Sequence, residues 1–468
     1  MSRATLAVLF GNRDFFPDIL VSEARRDLAE LFAQLDIEMV AVESQTRLGD
    51  VMTWDDAKIC GELWRREAHR IDGILICLPN FGDEKAAADS VKLSGLRVPI
   101  LVQAYPDDLD QFNVERRRDA FCGKISVCNN LRQYGYDYTL TTLHTVHPKS
   151  ESFQRDLTAF LGVCRIVKGV RSARLGAVGA RPAGFKTVRY SEKILQAAGM
   201  SVETLDFSEV LGWVNRLPEQ DDRVDAKLAE IKAYADYGKV PPPSLVKMAR
   251  LGVVLEHWMD ENDLDATALQ CWTSLQRNFG VNVCTLMSIM SERLMPSACE
   301  VDITGVVSMY VQQLASGSPS ALVDWNNNYG NDPDKCVFFH CGNWAKSFIP
   351  AAEISNAPIL GTTLGIENTW GAMAGRTPAG PVTFARVSTD DVHGVMRTYV
   401  GEGAFTDDKL DTFGTRAVVQ VPGLQKLLKH ICKHGFEHHV SMNGSLTADV
   451  LVEAFTTYFG WEVLRHEA

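Results

Sequence analysis

Between residues 300 and 439 the chain carries a small set of carboxylates and imidazoles that could do chemistry. Glu300 lies in PSACEVDITGVVSMYVQQL, where a Pro/Ser-containing turn meets an apolar helix. Asp302 and Thr304 open that helix, and a negative side chain there suits the partial positive charge of a helix N-terminus, so Asp302 reads as a cap. The apolar strand SALVD ends in Asp324 and opens into the polar, aromatic WNNNYG; CVFFH then runs to His340 ahead of CGNW. Two strands each ending in a metal-capable side chain would bring Asp324 and His340 to one sheet edge if they run parallel. Taken singly, a strand-end Asp is a turn residue and a strand-end His a core residue. Their recurrence in one short window points to a shared site.

Far along the chain, HGFEHHVSMN sets His438 and His439 side by side before a helix capped near Ser445 or Thr447. Adjacent imidazoles point to opposite sides of an extended chain, so one of the two is expected to serve as a ligand. No H-E-x-x-H, H-x-H or EF-hand pattern is present.

The elements that must position these residues follow from hydrophobic periodicity. ATLAVLF, IDGILICLP, VPILVQAYP and KISVCNNL (124–131) are strand-like runs, the first of them followed by the helical SEARRDLAELFAQL and the next two each following a polar helical segment. That alternation predicts a parallel, doubly wound sheet with ligand-facing loops at Gly11-Asn12-Arg13-Asp14, Pro79-Asn80-Phe81-Gly82 and Asn129-Asn130-Leu131-Arg132. A second alternation starts near 171; its glycines, Gly176, Gly179 and Gly184, do not fit G-x-G-x-x-G, so a dinucleotide site is not supported. The acidic, Pro-flanked segment from Leu217 to Pro243 reads as a solvated helix and linker, after which ARLGVVLEHWMDEN leads to the strand ATALQCW. Beyond 350, PVTFARVS, GVMRTYVGEGAF and TRAVVQVPG are short strands punctuated by Gly and Pro, as in a small antiparallel sheet or barrel closed by final helices. The expected architecture is α/β: an N-terminal doubly wound domain (1–168), a central doubly wound domain holding the carboxylates (169–350), and a C-terminal β-rich, barrel-like domain (351–468) with the His438-His439 segment.

Length and composition narrow the function classes. The 468 residues suffice for about three domains, and 46% hydrophobic with 23% charged residues is an ordinary globular balance. No apolar run approaches the ~18 residues of a membrane span. With 47 basic against 59 acidic residues the net charge is −12, a field that repels phosphate backbones, so nucleic acid is not an expected partner. Eleven cysteines without a C-x-x-C pair, and an N-terminus lacking a cleavable signal pattern, predict a reducing cytoplasm. Cys299 and Cys341 flank the chemistry-bearing residues and could line a site.

The run from ATALQCW through ACEVD, LVDWNNNYG and FFHCGNW, then GTTLGIENTWGAMAGRTPAGPVTFARVSTDD, GEGAF and FEHHVSMN, resembles the L-fucose isomerase / L-arabinose isomerase superfamily over essentially the whole chain, most strongly from 265 to 464. The resemblance implies an aldose–ketose isomerase that moves a carbonyl between C1 and C2 of an open-chain sugar through an ene-diol. It implies Mn²⁺, with Mg²⁺, Co²⁺ or Fe²⁺ as competitors, held by Glu300, Asp324 and His438, with His439 as the alternative in the doublet. His340 matches an extra histidine of the arabinose isomerases, so three or four ligands are expected. Glu300 and Asp324 could act as general base and acid on opposite faces of the ene-diol. Gln270 and Trp272 match sugar-contacting positions; Asn326, Trp344 and Asn443 are further candidates. Arg13 and Arg132 lie on segments that in fucose isomerases approach a neighbouring subunit's site, which implies a homo-oligomer, trimer or hexamer, with shared sites. Pentose, 6-deoxyhexose and acid-bearing hexose are the open substrate classes. Competing readings are a non-catalytic sugar-binding or regulatory protein and a metal-dependent sugar lyase or epimerase.

Overall fold

The computed structural model of the protein describes residues 3–467 and divides into two compact units. The first comprises the chain up to Lys168 plus Glu453–Gly460; the second comprises Gly169–Val452 plus the segment from Trp461 onward. Among the described residues no helix is long and apolar enough to cross a membrane.

In the first unit, strands β1 (Ala4–Phe10), β2 (Ile37–Val40), β3 (Gly73–Leu78), β4 (Ile100–Ala104) and β5 (Thr139–Leu140) form an all-parallel sheet in the order β2-β1-β3-β4-β5. Both faces are covered, which is why the strands are continuous apolar runs. Ala7, Leu9, Ile74 and Ile76 enter one core, whereas Leu6, Val8, Phe10, Leu75 and Cys77 enter the other. Strand order reverses between β1 and β3, and the expected loops at 11–14 and 79–82 flank that crevice. There the amide of Asn80 donates to Asn12 Oδ1 (2.7 Å), and the amide of Asn12 donates to Asp50 (2.6 Å).

The expected strand at 124–131 is instead part of the helix Ala120–Gln133. Its buried residues, Ala120, Gly123, Lys124, Val127 and Leu131, recur at three- and four-residue steps, and Ile125 faces solvent. The apparent alternation of Ile125 and Val127 was therefore a misleading fragment of a helical pattern. Asn129-Asn130-Leu131-Arg132 is consequently a helical turn and not a strand-end loop.

The second unit begins with another parallel sheet, β6 (Arg174–Val178), β7 (Ser201–Leu205), β8 (Ala266–Leu269) and β9 (Ser297–Cys299), ordered β7-β6-β8-β9. Nine further strands follow: β10 (Ser320–Asn328), β11 (Lys335–His340), β12 (Glu353–Ser355), β13 (Ala372–Arg376), β14 (Gly380–Asp390), β15 (Val395–Thr406), β16 (Thr415–Gln420), β17 (His439–Asn443) and β18 (Glu462–Arg465). Six of them close a ring, β10-β11-β16-β15-β14-β17 and back to β10, with every pairing antiparallel. Closure removes the exposed edges that an open sheet of this size would present. The expected break at 350 falls between β11 and β12, two members of the same nine-stranded sheet.

The helix Ile303–Ser316 joins the parallel sheet to the ring. Twelve of its residues are buried, as its small and β-branched composition demands. Gln312 donates to the Thr383 carbonyl (2.9 Å), and Ser308 Oγ accepts from Val387 N–H (2.8 Å), so its polar side chains are spent on β14. Residues of the parallel sheet (Val178, Leu269, Cys299) and of the ring (Val323, Phe338, Phe384) share one hydrophobic core.

Candidate active site

The carboxyl ends of the central parallel strands bring Gly179, Gln270, Trp272 and Glu300 to one edge, where ligands are bound in this architecture. Glu300 follows β9 directly. It and Val301 have φ of 61° and 55°, left-handed values that cost non-glycine residues roughly 1–2 kcal/mol each. This sharp corner between β9 and the helix is strain stored at the site. The Trp272 indole N–H donates to Glu300 Oε1 at 2.9 Å, while Glu300 Oε2 is buried with no hydrogen-bond partner.

The ring supplies the other wall. β10 and β11 run antiparallel, not parallel, and Asp324 lies within β10 and not at its end, opposite Phe339 and His439 on its two neighbours. Cross-strand partners project to the same face, so the pairing Asp324↔His439 itself creates a carboxylate–imidazole contact of 3.4 Å between Oδ1 and Nε2. His439 Nε2 also lies 2.9 Å from Glu300 Oε2 without hydrogen-bonding alignment. Two overlapping triads result, Glu300-His340-His439 and Asp324-His438-His439, each with its ligand atoms within 4.8 Å of one another.

Behind His439 stands a buried polar chain. Its Nδ1–H donates to Asp302 Oδ2 (2.8 Å), which turns Nε2 toward the site. Asp302 also caps the helix through Gly305 N–H (2.8 Å), as expected, and takes a two-pronged grip from Arg386 (2.6 and 3.0 Å). Arg386, fully buried, donates further to Thr304 Oγ1 (2.8 Å) and Glu437 (3.1 Å), and Ser388 completes Glu437 (2.8 Å).

Electrostatics follow from this crowding. Burial by itself would raise the Glu300 carboxyl, but neighbouring His439, His340 and Trp272 outweigh it and hold it at about 2. Asp302 is likewise lowered: burial is opposed by Arg386 and His439. Burial would depress His439, yet its contacts with Asp302 and Glu300 raise it to about 10. His438 is lowered by burial and by the charge of His439. Asp302 and Glu437 pair with the Arg386 guanidinium and Glu300 and Asp324 with His439, so even a protonated His439 leaves this cluster of four carboxylates negative. Carboxylate oxygens and imidazole nitrogens converging without partners in a negative pocket are a donor set that fits a divalent cation.

The sequence-based candidates are distributed unevenly. Glu300, Asp324, His340, His438 and His439 meet as described. The expectation that one imidazole of the doublet would turn away fails, because His438 precedes β17 and is not bound to strand alternation; the two ring centroids are 4.4 Å apart. His438, the preferred member of the doublet, is half-exposed with Nε2 3.6 Å from Asp324 Oδ1, and His439, the alternative, is fully buried and shared by both triads.

Trp272 touches Glu300, and Gln270 accepts from Ala180 N–H (3.0 Å) on the adjoining loop. Asn326 is exposed beyond Asp324 on β10. Trp344 is fully buried in the core and offers no face to a sugar. Asn443 is buried at the opposite end of β17, roughly 13 Å along the strand from His439, and its amide is spent on Ser316 and the 318–319 carbonyls. In the first unit, Arg13 stands over the Phe81 ring (4.5 Å) and pairs with Glu84, whereas Arg132 lies on an exposed helix face paired with Asp137 (3.2 Å). Cys299 is buried and Cys341 half-buried; all eleven cysteines are free.

Four contributors escaped the sequence reading. Phe185 packs edge-on to Trp272 (5.2 Å) and His438 (5.5 Å) and covers the cluster. Asp302 has a second role beyond capping. Arg386 and Glu437 carried a legible signal, a charge inside the apolar strand TFARVS and an acid beside the histidines, since such charges are buried only when paired.

Known proteins resemble this chain in sequence. Residues 7–171 match the family described as fucose/sulfoquinovose isomerase, N-terminal domain, and residues 338–467 match the L-fucose isomerase C-terminal domain. The chain is 24% identical over 435 residues to the sulfoquinovose isomerase of Priestia aryabhattai, covering 91% of this chain and 93% of that protein. It is 24% identical over 333 residues to the sulfoquinovose isomerase of Clostridium sp. (strain MSTE9), covering 70% and 72%.

Proposed function

From the premise that the chain belongs to the fucose-isomerase-like superfamily, we propose that it is a divalent-cation-dependent aldose–ketose isomerase whose substrate is an acid-bearing hexose, a 6-sulfonated aldose by analogy with its curated relatives. The observation that carries this reading is the convergence of Glu300 Oε2 (2.9 Å) and Asp324 Oδ1 (3.4 Å) on Nε2 of the buried His439.

Glu300, Asp324 and His439 are the residues we assign to the cation, with His438 beside them; Mn²⁺ is the first choice for this mixed carboxylate–imidazole set and Mg²⁺, Co²⁺ and Fe²⁺ its competitors. A cation held there would supply Lewis-acid stabilisation for negative charge developing on the substrate. The chain's own groups do the rest. A carboxylate, Glu300 or Asp324 according to direction, takes the proton from C2 of the open-chain aldose and returns it to C1, while the hydroxyl proton passes from O2 to O1. Glu300 suits the base role because it is ionised at neutral pH and Trp272 occupies only its Oε1. Phe185 and Trp272 supply an apolar wall that limits water and can stack against the sugar.

We further propose that the active form is a homo-oligomer. Phe15, Ile19, Leu109, Phe112, Val114 and Phe121, all following strand carboxyl ends of the first unit, are exposed, apolar surface that contact with a second copy would cover. Arg13 supplied by a second copy would suit an anionic substrate tail.

The deciding experiment is a panel of aldoses with and without a 6-sulfonate, assayed for ketose formation on enzyme stripped by chelator and then reloaded with Mn²⁺. The expected outcome is activity only after reloading and highest on the sulfonated aldose. Activity indifferent to chelation removes the cation; ketose formation from a neutral aldose alone removes the anionic substrate.

A further inference from the structure

His340 shares a triad with Glu300 and His439, yet its two nitrogens are arranged in the opposite sense from those of His439. The backbone N–H of Cys341 donates to His340 Nδ1 at 3.0 Å. A peptide N–H can never accept, so Nδ1 keeps its lone pair, and the proton of the neutral ring sits on Nε2. The ring cannot readily turn over: it is 2% exposed, at the end of β11, and its carbonyl accepts from Thr415 Oγ1 (3.2 Å) on β16. Nε2 is buried and without a partner, and the ring belongs to the group formed with Glu300 and His439, its centroid 5.8 Å from that of His439. His439 shows what a ligand histidine requires: Nδ1–H is given to a carboxylate, so Nε2 is the nitrogen turned to the site and can coordinate once its proton is lost.

We propose that His340 is not a cation ligand but a neutral hydrogen-bond donor, its Nε2–H reserved for the substrate oxygen on which negative charge develops. This rests on the isomerase reading above. Its value lies in preorganisation: a fixed donor in a water-poor site stabilises an oxyanion without reorganising, worth about 10²–10³ in kcat where such donors have been removed. Ligation by Nε2 would require a proton on Nδ1, which would set two N–H groups head to head across 3.0 Å.

Three measurements test it. In metal-free protein labelled with ¹⁵N-histidine, long-range ¹H–¹⁵N spectra should show His340 protonated on Nε2; a proton on Nδ1 overturns the proposal. Titration with Mn²⁺ followed by electron paramagnetic resonance should give His340→Gln and His340→Leu Kd values within about threefold of the parent. Weakening by tenfold or more in both makes His340 a ligand and overturns it. With occupancy matched, His340→Leu should lose 10²–10³ in kcat with little change in KM, and His340→Gln, which keeps an N–H, should recover part of it; equal losses in both variants refute the donor role. If the parent forms no ketose from any aldose, the isomerase reading falls with the substrate role, while the spectra and the Kd values still decide whether His340 is a ligand.

Discussion

His439 and Asp302 are joined by a 2.8 Å hydrogen bond between Nδ1 and Oδ2, with both side chains fully buried. The bond sets the imidazole tautomer and aims its other nitrogen at Glu300 and Asp324. Asp302→Asn keeps the volume but weakens the acceptor. Mn²⁺ affinity is expected to fall 10–100-fold, the range seen when such outer partners are lost, and titration calorimetry measures it; unchanged affinity would reduce Asp302 to a helix cap.

Glu300→Gln and Asp324→Asn preserve shape and remove charge and basicity. Each should lower kcat by at least ~10²-fold and weaken cation binding, so metal content is measured beside the rate. A fully loaded variant within threefold of the parent would exclude that carboxylate from proton transfer.

Cation uptake should release a proton. In the metal-free site His439 is raised from 6.5 to about 10, so it is protonated at pH 7 and must lose that proton to bind through Nε2. Affinity therefore rises with pH, about tenfold per unit between pH 7 and 9 from this group, and levels off near 10. Calorimetry in two buffers of different ionisation enthalpy counts the protons; a count of zero contradicts the assignment of His439. The same shift makes its charged form a stabilising element of the metal-free fold below pH 6.5, lost as pH rises through about 10.

Arg386 pairs with both Asp302 and Glu437 in a fully buried position. Arg386→Met leaves buried Glu437 without its cationic partner and Asp302 with His439 alone, and should destabilise the protein by about 3–5 kcal/mol, read by urea unfolding. A loss under 1 kcal/mol would mean the carboxylates find other partners or take up protons.

The shared-site assembly is open to complementation. Arg13→Ala and Glu300→Gln chains, each inactive alone, should regain some activity when subunits exchange, because one class of mixed site holds both parent residues. No recovery despite demonstrated exchange would place each site within one chain.

Much of this protein was legible in the linear order of its residues. Continuous apolar strands alternating with helices specify parallel sheets, because βαβ crossovers bury both faces. Glu300, Asp324 and the histidine doublet stood out because charge and imidazole interrupt otherwise apolar elements. What the sequence left open depends on pairing across long separations. That Asp324 faces His439 is a matter of strand register, and a one-residue slip would turn either side chain to the other face of the barrel. Which imidazole of the doublet is buried depends on where β17 begins, and the tautomers of His340 and His439 depend on a backbone N–H and a carboxylate that only the closed fold brings to them. Arg386 could be seen as a charge in an apolar strand, but its partners, Asp302 and Glu437, lie 84 and 51 residues away. Local periodicity determines the elements; closure of the ring and its packing against one buried helix decide the chemistry they share.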